Sequence, residues 1–210
     1  LKTAAFAAMD RSAAAYTDAL IALNDREAAD HAARGIGRPA QWRTIASGID
    51  FGPYGAAVEK RDETREKLGV SPQEVLVGAV GRLEPVKGFP YLIEAARTVL
   101  RRHSHVRFAL AGDGSMRAAL ERAASDLGPR FAFLGMRGDV PELMAAFDVL
   151  ALPSLNEGQG RVLMEAAAAG VPSAAFDVGG VSAFVTDGET GLWAPPGDAA
   201  ALAGAIGRLA

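Results

Sequence analysis

The 210-residue chain has no cysteine, which excludes disulfide staples, thiolate nucleophiles and thiolate metal sites. It has three histidines. His103 and His105 alternate between a helix and a strand with no third or fourth ligand beside them, and His31 falls on a solvated helix, so no metal site is expected. No apolar run reaches the roughly 20 residues needed to span a bilayer, and the N-terminus lacks the basic-then-apolar order of an export signal. A strong charge of either sign is also missing. Twenty-two Lys and Arg against 25 Asp and Glu leave a formal net charge of −3, which gives nucleic acid or an anionic membrane no electrostatic hold as the main partner. The default expectation is a cytoplasmic protein.

Half of the residues are hydrophobic, and the length suits one or two domains with a substantial core. The chain opens at Leu1 and stops at Ala210, each inside an alanine-rich helical stretch, as a piece of a longer protein would. Residues 4–22 carry small and apolar residues at helical spacing and lead into a short strand at Leu20-Ile21-Ala22-Leu23. Asn24 caps a helix over Asp25–Arg34, Gly35 ends it, and Trp42–Ala46 reads as a second short strand. Residues 51–62, with Gly52, Pro53 and Gly55, read as a linker. The charged run Glu59–Lys67 reads as a solvated helical face without a function.

From Val75 the rhythm is regular. Strands are expected at Val75–Val80, Val106–Ala111, Phe131–Leu134, Val149–Leu152 and Pro172–Phe176. Helices are expected at Tyr91–Arg102, Met116–Leu127, Pro141–Phe147, Arg161–Ala169 and Ala199–Leu209. Apolar strands alternating with helices mean βαβ units, an α/β fold and a Rossmann-like parallel sheet with helices on both faces. Ligands of such sheets sit at the carboxyl ends of the strands, where every chemistry-bearing motif of this chain falls.

Four motifs stand there. Gly81-Arg82-Leu83 follows the first strand of the regular part and Lys87-Gly88 opens the next helix. Arg offers a planar fork and Lys a point charge, a pair able to clamp a diphosphate. Gly112-Asp113-Gly114 follows the next strand, but Arg117 stands where a dinucleotide-binding fingerprint needs its third glycine, which argues against a nicotinamide site. Leu152-Pro153-Ser154-Leu155-Asn156-Glu157-Gly158-Gln159-Gly160 then runs into the helix bearing Glu165. The start of that helix offers unpaired N–H groups and a positive dipole end to an anion. Glu157 and Glu165 repel an anion and instead suit hydroxyls, which donate to them. With the helix starting near Gly160, Glu165 lies roughly 7–8 Å along its axis, within reach of a ribose when the phosphates sit at the helix start. Anion plus polyol points to a nucleotide sugar. Gly179-Gly180, after another strand, is either a flexible turn or a further pair of backbone amides near the ligand.

Taken in order and spacing, Gly81-Arg82-Leu83…Lys87-Gly88, Gly112-Asp113-Gly114…Arg117, Phe133-Leu134-Gly135, Asp148-Val149…Pro153-Ser154…Glu157-Gly158, Glu165-Ala166…Gly170-Val171-Pro172, Gly179-Gly180 and Asp187-Gly188…Gly191…Pro195-Pro196-Gly197-Asp198 resemble the family 4 retaining glycosyltransferases. The resemblance covers about residues 17–210. It implies a GT-B fold, two Rossmann-like domains facing each other across a cleft. Residues 1–50 would be a remnant of the N-terminal acceptor domain and the crossover, 51–72 a linker and helix, and 73–210 the C-terminal nucleotide-sugar-binding domain.

Carried over, Arg82 and Lys87 would hold the donor diphosphate, with Gly81 beside them, Glu165 would bind the ribose hydroxyls and Glu157 would contact the transferred sugar. Backbone amides of Gly158, Gln159, Gly160, Arg161, Val162 and Leu163 would face sugar and phosphate, and the base would lie near Gly135, Met136 and Arg137. The family's retaining transfer needs no protein nucleophile, and with Arg82 and Lys87 meeting the leaving-group charge no metal or other cofactor is expected. The implied partners are a nucleotide-sugar donor and an unidentified acceptor; any membrane contact, peripheral and at the inner face, would run through the N-terminal domain. Two other readings fit the same residues: a nucleotide-sugar-binding module or inactive subunit, and a nucleotide-sugar epimerase of similar fold. One departure is Ala183, where the family often carries an acidic residue.

Overall fold

The computed structural model of the chain describes residues 2–210. It begins with a small βαβ unit: helix α1 (Lys2–Ala15), strand β1 (Leu20–Ala22), helix α2 (Asp25–Ala33) and strand β2 (Trp42–Thr44), the two strands pairing in parallel. Asn24 caps α2 as its type and position imply, its side chain accepting from the Glu27 amide at 2.8 Å. The buried Gln41 side chain donates to the Ala14 and Thr17 carbonyls at 3.0 and 2.6 Å, which fixes the end of α1 against the entrance to β2. His31 is not simply solvated: its ring stacks on Trp42, centroids 5.5 Å apart.

The main sheet has six strands, β3 (Val75–Val80), β4 (Val106–Ala111), β5 (Phe131–Gly135), β6 (Val149–Leu152), β7 (Ser173–Phe176) and β8 (Gly191–Ala194). Their spatial order is β5-β4-β3-β6-β7-β8 and every neighbouring pair is parallel. This is the Rossmann order, in which the winding reverses between the first and fourth strands of the sheet. The connecting helices are α5 (Phe89–Arg102), α6 (Arg117–Ala123), α7 (Val140–Ala146) and α8 (Arg161–Ala168), with α9 (Ala199–Leu209) last. Helices α5, α6 and α9 pack together on one face, while α7 and α8 lie on the other with α3 (Gly52–Ala57) and α4 (Arg61–Lys67).

Sheet strands covered on both faces need side chains that are apolar throughout, and Val149, Leu150, Ala151 and Leu152 of β6 are all buried. Helix α5 buries Phe89, Leu92, Ile93, Ala96, Val99 and Leu100, the stripe its 3.6-residue period dictates.

The sequence reading needs correction at several elements. Residues 51–62 are not an open linker: Gly52–Ala57 is helical with Pro53 in its first turn, where a missing N–H costs nothing, and the chain continues through a 3-10 turn into α4. The helix expected over Met116–Leu127 stops at Ala123 and gives way to 3-10 turns over Ser125–Arg130, broken at Gly128. Strand β8 was not foreseen; it opens on Gly191 and exposes Trp193, so it lacks the continuous apolar run that marks β6.

The charged run Glu59–Lys67 is also not a solvated face. Arg65 is 5% exposed and donates to the Ala146 carbonyl and the Asp148 carboxylate, both at 2.9 Å, and to the carbonyls of Ser71 and Glu74. Arg61 reaches the Ala145 and Phe147 carbonyls at 2.6 and 2.9 Å and also pairs with Asp148. The two arginines, four apart and on one helical side, satisfy the end of α7 and fasten α4 beneath the sheet. Burial pushes the Asp148 carboxyl up, but the Leu76 amide and the two guanidiniums outweigh it and hold it below the ordinary aspartate value.

Removing Arg65 strands these acceptors. Arg65→Met is expected to destabilise the chain by on the order of 3 kcal/mol, read from urea denaturation. Because the folded Asp148 titrates low, the stabilisation is complete above the unfolded aspartate value of about 3.9 and is lost as pH falls through the lower folded-state value. An Arg65→Met midpoint equal to wild type at neutral pH would dismiss the clamp.

Candidate functional site

The loops after β3 and β6 part at the point where the winding reverses, and the candidate residues lie on them. After β3 comes Gly81-Arg82-Leu83, then a 3-10 turn at Pro85–Lys87, then α5. After β6 comes Pro153-Ser154, then the turn Asn156–Gly160, then α8. The two loops touch: the Leu155 amide donates to the Val86 carbonyl at 2.8 Å. Gly88 has φ +64°, and a Cβ there would overlap the Pro153 carbonyl, so only glycine lets the β3 loop lie against the β6 loop.

That approach brings Lys87 to Glu157. The Lys87 ammonium pairs with Glu157 Oε1, and the Ser154 hydroxyl donates to the same oxygen at 2.7 Å. Glu157 is 9% exposed and Ser154 fully buried. The carboxylate is thus fixed on one oxygen while Oε2 has no protein donor among the described residues. Arg82 is exposed at the mouth of the β3 loop and is unpaired among the described residues. Ser154 was not singled out from sequence; a hydroxyl three residues before a carboxylate in a turn is the signal that was available.

The Asn156–Gly160 turn and the first turn of α8 form a row of amides. Among the described residues, none of the backbone N–H groups from Asn156 to Val162 donates to a protein acceptor. Free amides at a helix start form a cradle for negative charge. Leu163 differs from expectation: its amide donates to the Gly160 carbonyl at 2.8 Å and its side chain is in the core. The Gln159 amide stays in the row, while its side chain turns away from it and is 4% exposed.

Glu165 lies further along α8, half-buried, with the Tyr54 hydroxyl facing it. Burial pushes its carboxyl above the ordinary glutamate value, against the opposing pull of the Tyr54 hydroxyl and of Arg161. Burial and the Glu165 charge in turn raise the Tyr54 phenol. Tyr54 lies in the stretch read from sequence as a linker, and only the folding of α3 onto α8 makes it part of the site.

Gly135 ends β5, and Met136 and Arg137 follow it. Met136 and Arg137, with Gly81, Arg82, Gly112 and Asp113, line a cavity of about 240 Å³; Gly135 is not part of that lining. Met136 is 75% exposed at its edge, and Arg137 is drawn onto Asp139 by two hydrogen bonds of 2.8 and 2.5 Å.

The paired glycines after β7 neither flex freely nor point both amides at a ligand. Gly180 donates to the Glu157 carbonyl at 3.1 Å, and a Cβ on Gly179, at φ +50°, would overlap that same carbonyl. They are a backing for the Glu157 turn. Ala183 sits in the 3-10 turn that follows them, Val181–Ala183.

The chemical capacity of the site is a cationic loop and an amide row that suit an anion, beside two carboxylates that suit hydroxyls. Among the described residues no group of His, Asp and Glu is arranged to hold a metal ion, and no helix is long and apolar enough to cross a membrane.

Known proteins resemble the chain over most of its length. The family model described as Glycosyl transferases group 1 matches residues 74–210. A D-inositol 3-phosphate glycosyltransferase from Corynebacterium urealyticum is 33% identical over 204 residues, covering 91% of this chain and 48% of that protein. A 2-deoxystreptamine glucosyltransferase from Streptomyces kanamyceticus is 33% identical over 171 residues, covering 79% and 44%. Among solved structures, Anabaena Alr3699/HepE in complex with UDP-glucose superposes with a TM-score of 0.80 at 31% identity, covering 91% of this chain and 53% of that one. The chain spans about half the length of the curated relatives it matches.

The packing of the turn generates a test. Gly179→Ala is expected to lower stability by roughly 1–3 kcal/mol, from a strained φ and a displaced Glu157 carbonyl. Denaturation measures it; an unchanged midpoint would show that the turn is not backed by this glycine.

Proposed function

The chain belongs to the group 1 glycosyl transferases, and from that membership we propose that it carries the site that holds a nucleotide-diphosphate sugar while the sugar is transferred with retention of its anomeric configuration. One observation carries the reading. At the reversal of the sheet a cationic loop leaving β3 meets a row of free amides and a buried carboxylate leaving β6. A diphosphate needs the first two and a sugar needs the third. The likeness to Alr3699/HepE, whose structures hold UDP and UDP-glucose, supports the same class of ligand.

Arg82 and Lys87 are assigned to the diphosphate, with Gly81 beside them, and the amides from Gly158 to Val162 to the sugar and phosphate. Glu165 is assigned to the ribose hydroxyls, Glu157 through its free oxygen to hydroxyls of the transferred sugar, and the cavity beside Gly135, Met136 and Arg137 to the base. In the transfer, the bond from the anomeric carbon to the diphosphate oxygen breaks. The acceptor oxygen bonds to that carbon on the same face, and its proton passes to the leaving phosphate. Negative charge grows on the diphosphate, and cations and amides already aimed at it stabilise that charge without reorganising. Lys87 is shared with Glu157 beforehand, so an arriving diphosphate competes with the carboxylate for the ammonium. With two cations supplying the charge, the reading expects binding that does not depend on magnesium.

Calorimetric titration with UDP, GDP and ADP, with NAD as control, tests the reading. One nucleoside diphosphate is expected to bind selectively and equally well in EDTA. Arg82→Ala is expected to weaken it about tenfold or more while sparing the bare nucleoside, since a charge-assisted hydrogen bond contributes about 1.5–3 kcal/mol. Equal losses for diphosphate and nucleoside would remove Arg82 from the phosphates, and no selective binding would overturn the reading.

Glu165→Ala is expected to cost the ribonucleotide about tenfold in affinity and its 2′,3′-dideoxy analogue little. If the preference for the ribonucleotide survives the substitution, Glu165 does not bind the ribose.

A further inference from the structure

The turn between Asn156 and Gly160 holds its shape with no backbone hydrogen bond of its own among the described residues. Its carbonyls are held from outside. Gly180 donates to the Glu157 carbonyl at 3.1 Å, and the Asn24 side-chain amide donates to the Gly158 carbonyl. Gln159 supplies the third attachment. Its Oε1 accepts from the Ser47 amide at 2.7 Å and its Nε2 donates to the Ser47 carbonyl at 2.6 Å, with Met164 Sδ 3.1 Å from the same nitrogen. The side chain is 4% exposed. A carboxamide pairs with a single residue's N–H and C=O as a neighbouring strand would; a carboxylate lacks the donor and an apolar side chain lacks both. Ser47 lies in the segment that leaves the small β1-β2 sheet for the main one.

We propose that Gln159 is a positioning residue: its side chain clips the sugar-binding turn to the backbone of Ser47, so that the crossover between the two sheets sets where Glu157 and the free amides stand relative to the transferred sugar. The inference rests on the nucleotide-sugar reading above. It assigns Gln159 no contact with the ligand through its side chain. It also separates two parts of the donor: the diphosphate is held in large measure from the β3 loop, which Gln159 does not touch, whereas the sugar is held from the turn. Loosening the clip therefore costs the sugar more than the diphosphate.

The test compares wild type, Gln159→Met and Gln159→Glu by calorimetry with UDP, GDP and ADP, each with and without its glucosyl group, alongside hydrogen exchange at the Ser47 amide. In wild type the glucosyl form that binds is expected to slow exchange at Ser47. Gln159→Met, similar in length but unable to pair, is expected to lower the preference for the glucosyl form over the bare diphosphate about tenfold and to abolish that slowing. Gln159→Glu keeps the acceptor for the Ser47 amide and loses the donor to its carbonyl, so a smaller loss is expected; it also decides the matter if Gln159→Met does not fold. A preference unchanged in a folded variant, or equal losses for the two ligand forms, overturns the role of Gln159 and leaves the donor reading standing. Wild type binding none of the probes overturns both.

Discussion

Between β3 and β6 the winding of the chain reverses, and everything that gives this molecule a site depends on that reversal. Two adjacent parallel strands end side by side, but their loops depart to helices on opposite faces, so a crevice opens that neither loop fills. The crevice brings together residues of unlike chemistry. Arg82 and Lys87 arrive from one side; Glu157, its neighbouring amides and Glu165 arrive from the other. Only where the two loops meet do Arg82 and Lys87 join the amide row and the carboxylates of the β6 side.

Close approach of backbones sharpens that convergence. Gly88 against Pro153 and Gly179 against Glu157 are contacts that a single methyl group would prevent. Once made, they bury Glu157, and a buried carboxylate is tolerable only with partners. Lys87 and Ser154 are those partners, both bonded to one oxygen. The same two groups that make the burial tolerable also orient the free oxygen, so folding and preorganisation are one interaction seen from two sides. At the opposite end of the sheet, Asp148 plays a purely architectural part. It gathers Arg61 and Arg65 of α4 and the start of β3.

The small βαβ unit is joined to this arrangement through polar contacts. Asn24 caps α2 and donates to Gly158, and Ser47 pairs with Gln159. Arg26 lies 3.8 Å from Asp177, both well exposed, a contact worth little by itself. Hydrogen bonds of this kind are directional, and they specify a relative placement where apolar contact would permit sliding.

Much of the fold was legible in the chain because burial on both faces leaves an apolar signature. Val75–Val80, Val106–Ala111 and Val149–Leu152 were bounded to the residue. The alternation of such runs with α5, α7 and α8 announces a parallel sheet, and Arg82, Lys87, Glu157 and Glu165 could be singled out because they follow strand ends. Other features had no local signal. Arg65 looks like any solvated arginine, Tyr54 like a linker residue and Gln159 like a loop residue, since each takes its role from a partner far along the chain: Asp148, Glu165 and Ser47. The sequence by itself determined the strands, the helices and the types of chemical group at the strand ends, because those depend on neighbours a few residues away. Only the tertiary structure decided which oxygen of Glu157 is free, which amides are already spent and what holds the turn, because those depend on distances between segments that sequence order does not encode.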